Sequence, residues 1–272
     1  LPTQKISVLE ASHPVPDLAG QKATRELLEH LQGLTSDDLV LCLISGGGSA
    51  LLAAPNGVTL EQKAELTKAL LKSGADISEM NTVRKHLSSV KGGQLARAAS
   101  PARVVSLIVS DVVGDDLTSI ASGPTAPDPS TFADALEVLN RYGIQVPEAR
   151  AHFQKGVAGE IPETPKPNDA LFGNVTNTLV ASGQQSLEAV AHFFRSQNIT
   201  PYILSDSITG EAREIAKVHA ALAKQIVRYG QPFEKPCGLI SGGETTVTVR
   251  GNGRGGRNGE FALSLALELN GL

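Results

Sequence analysis

The chain has no tryptophan, one methionine and two cysteines, and aromatic residues fill only 4% of its 272 positions. Two cysteines build no disulfide framework, which excludes a small secreted scaffold stapled by cystines. Cys42 and Cys237 each stand inside an apolar run just ahead of a glycine turn, and are expected to be buried free thiols of a cytoplasmic protein. With 27 glycines and so few rings, the composition fits an α/β enzyme better than a β-sandwich with an aromatic core. Long hydrophobic runs are missing as well. No stretch approaches the ~20 apolar residues that span a bilayer, and no signal peptide is visible, so no membrane partner is expected. Nor is there an excess of positive charge: 24 Lys and Arg against 28 Asp and Glu leave −4, without the footprint of a nucleic-acid binder. A mildly acidic chain that binds phosphates must gather its arginine, lysine or metal locally. The first residue is Leu1 rather than methionine, and Leu272 closes on an apolar helical pattern running from Phe261 to Leu269. Both ends are expected to be cuts within a longer protein.

What is present is a repeated pentapeptide. Leu-Ile-Ser-Gly-Gly occurs at Leu43–Gly47 and again at Leu239–Gly243. Each copy closes an apolar run that reads as a buried strand, which would place bare backbone at a strand's carboxyl end, where open α/β sheets bind ligands. Along the chain, Leu39–Ile44, Val104–Ser110, Asn177–Ala181, Thr200–Leu204 and Cys237–Ile240 read as strands. Ala19–Leu31, Leu60–Leu71 (entered through Thr59 as N-cap), Phe132–Tyr142, Ser186–Ser196 and Glu211–Tyr229 read as helices. Met80 to Arg97 reads as helix, glycine pair, helix. Pro147 to Asp169 thins into Pro, Glu, Lys and Gly, and Ile161 to Asn168 is the best linker candidate. Strands alternating with helices imply parallel pairing, and the expected fold is two α/β domains with mostly parallel Rossmann-like sheets and a cleft between them, divided as 1–165 and 166–272.

Several loops could carry chemistry. Ser45-Gly46-Gly47-Gly48-Ser49 offers close backbone approach to an anion and then a helix start. It is neither a Walker loop, which needs Gly-Lys-Ser/Thr, nor a dinucleotide fingerprint. A tight packing turn and a nucleophilic serine are the alternatives, the latter disfavoured because G-x-S-x-G is absent. Asp111 and Asp115 come after an apolar strand and suit Mg²⁺; Asp115 and Asp116 could instead cap a helix near Leu117. Arg84, Lys85, His86 and Lys91 form a basic cluster whose members cannot all face one ligand if Arg84 and His86 share a helix. Lys91, beside Gly92-Gly93, is the candidate anion contact. Gly253-Arg254-Gly255-Gly256-Arg257-Asn258-Gly259-Glu260 sets two arginines among glycines before a helix, a pattern suited to phosphate or carboxylate. Glu244, in the strand leading there, is a candidate metal carboxylate or one that positions a neighbouring site residue.

Taken together, these segments resemble the glycerate kinase family that carries the MOFRL domain, whose older label is hydroxypyruvate reductase. The matching stretches are His13-Pro14-Val15-Pro16-Asp17, Ser45 to Leu52, Asn81 to Ser88, Lys91-Gly92-Gly93, Ser110 to Asp115, Ala121-Ser122-Gly123-Pro124-Thr125, Gly210 to Glu214, Ser241 to Val247 and Gly255-Gly256-Arg257-Asn258. The resemblance runs from about Val8 to the last residue. It implies ATP-dependent phosphorylation of D-glycerate to 2-phosphoglycerate with Mg²⁺, in two α/β domains of which the second, 166–272, includes the start of the MOFRL region. It also implies that Arg257 is catalytic. Beside it, the residues themselves make Ser45, Gly46, Gly47, Gly48, Ser49, Lys91, Asn258 and Glu244 the candidate substrate or phosphate contacts, and Asp111 and Asp115 the candidate metal ligands. A second catalytic lysine of the family lies upstream of any residue present here. Where many members have glutamine, this chain has Gly259. The partners so implied are small molecules, D-glycerate and ATP, with room for a homodimer. The rival readings are an NAD(P)H-dependent hydroxypyruvate reductase, which the missing dinucleotide fingerprint disfavours, and a non-catalytic nucleotide or sugar-acid binding module.

Overall fold

The computed structural model describes residues 5–13, 15–251 and 253–270, so Pro14 and Leu272 lie outside the described residues. The chain forms two compact units that divide between Val180 and Ala181. That division falls downstream of the 165/166 boundary expected from composition. The reason is local: Glu163, Thr164 and Lys166 of the supposed linker are tied into the first unit.

The first unit opens with helix α1 (Leu18–His30), capped by Asp17, whose carboxylate accepts the Gly20 amide. Strand β1 (Leu39–Ile44) comes next, then a glycine turn and the one-turn helix α2 (Gly48–Leu51). Helices α3 (Leu60–Ser73) and α4 (Ile77–His86) both start in capping boxes, Thr59 with Gln62 and Asp76 with Glu79. After α5 (Gln94–Ala99), strand β2 (Arg103–Val109) pairs parallel with β1 from Leu39↔Arg103 to Ile44↔Ile108. Helices α6 (Phe132–Arg141) and α7 (Pro147–Val157) precede β3 (Val175–Ala181), and the sheet order is β1-β2-β3.

The apolar core of this unit lies among helices rather than on the sheet. Leu66 and Leu70 of α3, Met80 and Val83 of α4, Phe132, Ala135 and Leu139 of α6 and Phe153 of α7 form one buried cluster. The expectation that β1 is a buried strand fails. It is the edge strand, and its alternation leaves Leu39, Leu41 and Leu43 at 61%, 56% and 75% exposure while Val40, Cys42 and Ile44 are half-buried. Cys42 and Cys237 are free and half-buried, less enclosed than the sequence suggested.

Helix α7 is the element that composition hid, since it falls in the stretch read as thinning toward a linker. Proline at its first turn is compatible with a helix start, and Ala149, Phe153 and Gly156 form its buried face. Gly156 lies so close to the Phe132 ring that any Cβ there would overlap it.

In the second unit, α8 (Gly183–Ser196), β4 (Thr200–Glu211), α9 (Ala212–Tyr229), β5 (Cys237–Thr246) and α10 (Arg257–Leu269) alternate as predicted. Strands β4 and β5 pair in parallel from Thr200↔Cys237 to Glu211↔Thr246, with register shifts around Ser205. Both strands run farther than their apolar segments suggested. The second Leu-Ile-Ser-Gly-Gly therefore lies inside β5, not at its tip. Gly243 takes φ +141° opposite Ile208, and a Cβ there would collide with the Ile208 backbone. The glycine serves close strand approach.

Candidate functional site

A cavity of about 650 Å³ opens in the first unit, within the range typical of small-molecule sites. One face of α3 supplies Leu60, Lys63, Ala64, Thr67 and Leu71, and α4 supplies Ile77, Asn81 and Arg84, positions that share a side at helical spacing. His13, Gly47 and Ser49 enter from the N-terminal segment and the glycine turn. Lys91 comes from the loop after α4, and Asp111, Asp116, Ser119 and Ala121 from the loop after β2.

The glycine turn is built for proximity. Gly47 takes φ +85° as N-cap of α2. Gly46 is pressed against the Asp111 carboxylate, and a Cβ on Gly48 would stand 2.7 Å from Ala121 Cβ. Among the described residues, the amides of Gly46, Gly47 and Gly48 donate to no protein acceptor. The expected helix dipole contributes little, because α2 is a single turn. Opposite it, Ala121 and Ser122 both hold positive φ, 51° and 61°, and Ser122 Oγ meets Ser49 Oγ at 2.9 Å. Left-handed backbone at non-glycine residues is strained, and here it borders the cavity.

The five loop residues singled out by sequence thus divide. Gly47 and Ser49 line the cationic cavity; Ser45, Gly46 and Gly48 line a neighbouring groove of about 370 Å³ walled by Leu27, Leu31, Leu43 and Leu52.

The basic cluster divides too, in the way helix geometry requires. Arg84 faces the cavity, and burial pulls its guanidinium below its ordinary pKa. Lys91 is only 2% exposed, and its Nζ donates to Ser49 O at 2.9 Å, bracing the glycine turn from behind. Burial, then repulsion from Lys63 and Arg84, pushes the Lys91 amine well below the usual lysine range. Lys85 and His86 turn inward. Buried Asp128 accepts from Lys85 Nζ (3.3 Å), Ser130 Oγ (2.7 Å) and Thr164 Oγ1 (3.0 Å). Glu163 accepts from the Phe132 amide (2.8 Å) and faces His86 Nε2 (3.3 Å). Burial alone would raise Glu163, but hydrogen bonds from His86, Phe132 N–H and Lys166 outweigh it and hold the carboxyl at about 2. This network is structural, and it explains why residues 161–168 do not link units.

Sequence reading missed Lys63. A lysine on an amphipathic helix reads as a solvated charge, yet it falls on the stripe Leu60–Ala64–Thr67–Leu71 of small and apolar residues. That placement was the available signal.

Of the acidic candidates, Asp111 lines the cavity and Asp115 sits on the adjoining turn at φ +54°. Asp116 holds the turn at 117–119, accepting from Thr118 N (3.0 Å), Thr118 Oγ1 (2.8 Å) and Ser119 Oγ (2.6 Å). No α-helix begins near Leu117, so the helix cap expected as its alternative role is a turn brace instead. Among the described residues, no group of three or more His, Cys, Asp or Glu could hold a metal unaided. One or two carboxylates nevertheless fit Mg²⁺, which completes its shell with water and substrate phosphate.

In the second unit, Arg257 is the first residue of α10 and its Nη1 donates to Glu244 Oε1 and, at 3.4 Å, to Thr245 O. Both members of the ion pair are exposed, and Asn258 is next on the first turn. Glu211 accepts from the Thr248 amide and hydroxyl, each at 3.1 Å, and so holds the chain leaving β5.

The family described as Domain of unknown function (DUF4147) matches residues 1–154, and the MOFRL family matches residues 237–272, starting where β5 starts. The D-glycerate 2-kinase of Thermotoga maritima is 46% identical over 274 residues, a match covering all of this chain and 63% of the relative. The chain belongs to the glycerate kinase family that carries the MOFRL domain. The crystal structure of glycerate kinase from the same organism aligns with a TM-score of 0.86 at 45% identity, covering 100% of this chain and 63% of that one. Its likeness agrees with the mixed α/β fold and parallel strand pairing seen here. A protein of Agrobacterium vitis provisionally labelled hydroxypyruvate reductase is 51% identical, covering all of this chain and 61% of the relative. The chain thus spans less than two thirds of the length of these family members. No described helix is long and apolar enough to cross a membrane.

Proposed function

We propose that this chain takes part in ATP-dependent phosphorylation of D-glycerate at its 2-hydroxyl, giving 2-phosphoglycerate. The observation that carries the reading is the gathering of Lys63, Arg84 and Lys91 around one cavity beside the free amides of the glycine turn. Phosphoryl transfer asks a protein chiefly for positioning and charge neutralisation, and this wall supplies both. Arg84 is a permanent cation whose guanidinium can grip a carboxylate or phosphate in two places. Lys91, held by Ser49 O, fixes the turn that presents Gly47 and Ser49. The name of the Thermotoga relative supports the choice of substrate.

Mg²⁺, when bound, neutralises phosphate oxygens; Asp111 would hold it from the cavity wall, with Asp115 as the second carboxylate. Arg257 keeps the catalytic role that the family resemblance implies, and its pairing with Glu244 is one it must exchange for an anion in order to act.

Phosphorus-31 NMR on a protein that joins this chain to the upstream segment bearing the family's second lysine, with D-glycerate, ATP and Mg²⁺, tests the reading. A 2-phosphoglycerate resonance growing as ADP accumulates is the expected result. NADH oxidation with hydroxypyruvate and no phosphoglycerate would overturn it in favour of the reductase.

A further inference from the structure

Lys63 and Arg84 reach the same cavity from facing helices, and neither is matched by a carboxylate. Lys63 Nζ donates to Leu87 O at 2.9 Å and Lys91 Nζ to Ser49 O; among the described residues neither lysine nor Arg84 forms an ion pair. Lys91 is buried, and Lys63 and Arg84 are half-buried. Asp111 and Asp116 line the same cavity, yet among the described residues neither forms an ion pair with these three. Cations withdrawn from water without a pairing partner describe a site for an anion. Asn81 points the same way. It is 5% exposed, it borders the cavity, and its side chain makes no hydrogen bond to protein among the described residues.

We propose that Lys63 is a proton-coupled ligand for the phosphate of a phosphate monoester. On this view the cavity draws a proton from solvent onto the Lys63 amine as the anion enters, Arg84 supplies the permanent charge and Asn81 an amide donor. The proposal rests on reading this cavity as the phosphate site of the kinase.

The electrostatics support it. Burial, reinforced by repulsion from Arg84, lowers Lys63 to about 7. The charged and titratable groups facing it are Arg84 from α4, Lys91 from the loop after α4, Lys68 from α3 itself, His13 from the N-terminal segment, and Asp111 and Asp116 from the loop after β2. At pH 8 the amine of the empty cavity is therefore mostly uncharged. A phosphate dianion beside it favours the ammonium and restores a value nearer that of free lysine, so binding must take up a proton. Below pH 7 the proton is already present and the uptake vanishes.

Leu87 is the C-cap of helix α4, so a purely structural role for Lys63, capping that end, is the competing account. Proton uptake separates the two. Isothermal titration of the full chain with 2-phosphoglycerate at pH 8, in Tris and in HEPES, reads uptake from the difference in buffer ionisation heat. The wild type is expected to take up about 0.9 proton more per bound anion than Lys63→Arg, whose guanidinium stays charged. Wild-type affinity, which needs no variant, should weaken about tenfold per pH unit between pH 7.5 and 9. Equal uptake in the two proteins, or pH-independent wild-type affinity, overturns the proposal and leaves the kinase reading standing. Failure of 2-phosphoglycerate to bind at all overturns the cavity reading and the proposal together.

Discussion

The same five residues, Leu-Ile-Ser-Gly-Gly, do opposite work in the two units. At Leu43–Gly47 the strand stops at Ile44, the glycines are free of the ladder, and their amides stand open beside a cationic cavity. At Leu239–Gly243 the strand runs on to Thr246, and the glycines are absorbed into pairing with β4. The difference lies in the residues next in the chain after each copy. Gly48-Ser49-Ala50-Leu51 closes a helical turn, whereas Glu244-Thr245-Thr246 continues as strand, with β-branched residues suited to it. A glycine pair after an apolar run does not by itself make an anion loop. The flanking residues decide whether the freed backbone faces a ligand or another strand.

The comparison can be broken in three places. The largest effect is expected from Gly243→Ala, which combines an unfavourable φ with backbone overlap at Ile208 and should destabilise the second unit by about 3 kcal/mol or more. Thermal unfolding measures that loss, and calorimetry on the same variant should find phosphate binding by the first unit retained. Next, Arg257→Ala should lower turnover about 100-fold, the size of effect seen when a charge-stabilising donor is lost. Its stability should change by less than about 1 kcal/mol, because the Glu244 pair is exposed. Near-normal turnover would remove Arg257 from the chemistry and leave the second copy's strand a purely structural part. The smallest effect is Gly48→Ala, where one methyl meets Ala121 and should cost about 1–2 kcal/mol while weakening phosphate binding. Adding Ala121→Gly makes room for the methyl and relieves the positive φ at that residue, so the double variant should recover both, a coupling that a double-mutant cycle reads directly.

Much of this was legible in the chain, and the failures share a cause. The bounds of β1, the Thr59 cap, the helices on either side of Gly92-Gly93 and the alternation of the second unit all come from local periodicity and capping chemistry. What escaped depends on tertiary partners. Helix α7 shows few apolar positions because Gly156 is small to accommodate the Phe132 ring. Glu163 and Lys166 look like linker charges until His86 and the Phe132 amide are brought to the first and Ser130 O to the second. Lys63 looks solvated until α4 places Arg84 opposite. Family resemblance gave Arg257 its role, and glycine spacing picked out Lys91 and the turn; only the folded first unit shows that Lys63 and Asn81 join Lys91 at one cavity.

The central claim is that the first copy, not the second, adjoins the phosphate site. A crystal structure of the chain with bound 2-phosphoglycerate tests it most directly. The account predicts phosphate density between Lys63, Arg84 and Asn81, within reach of the Gly47 and Ser49 turn. Density for the phosphate at Ser241–Gly243 of β5, with the first unit's cavity holding only water, would contradict it.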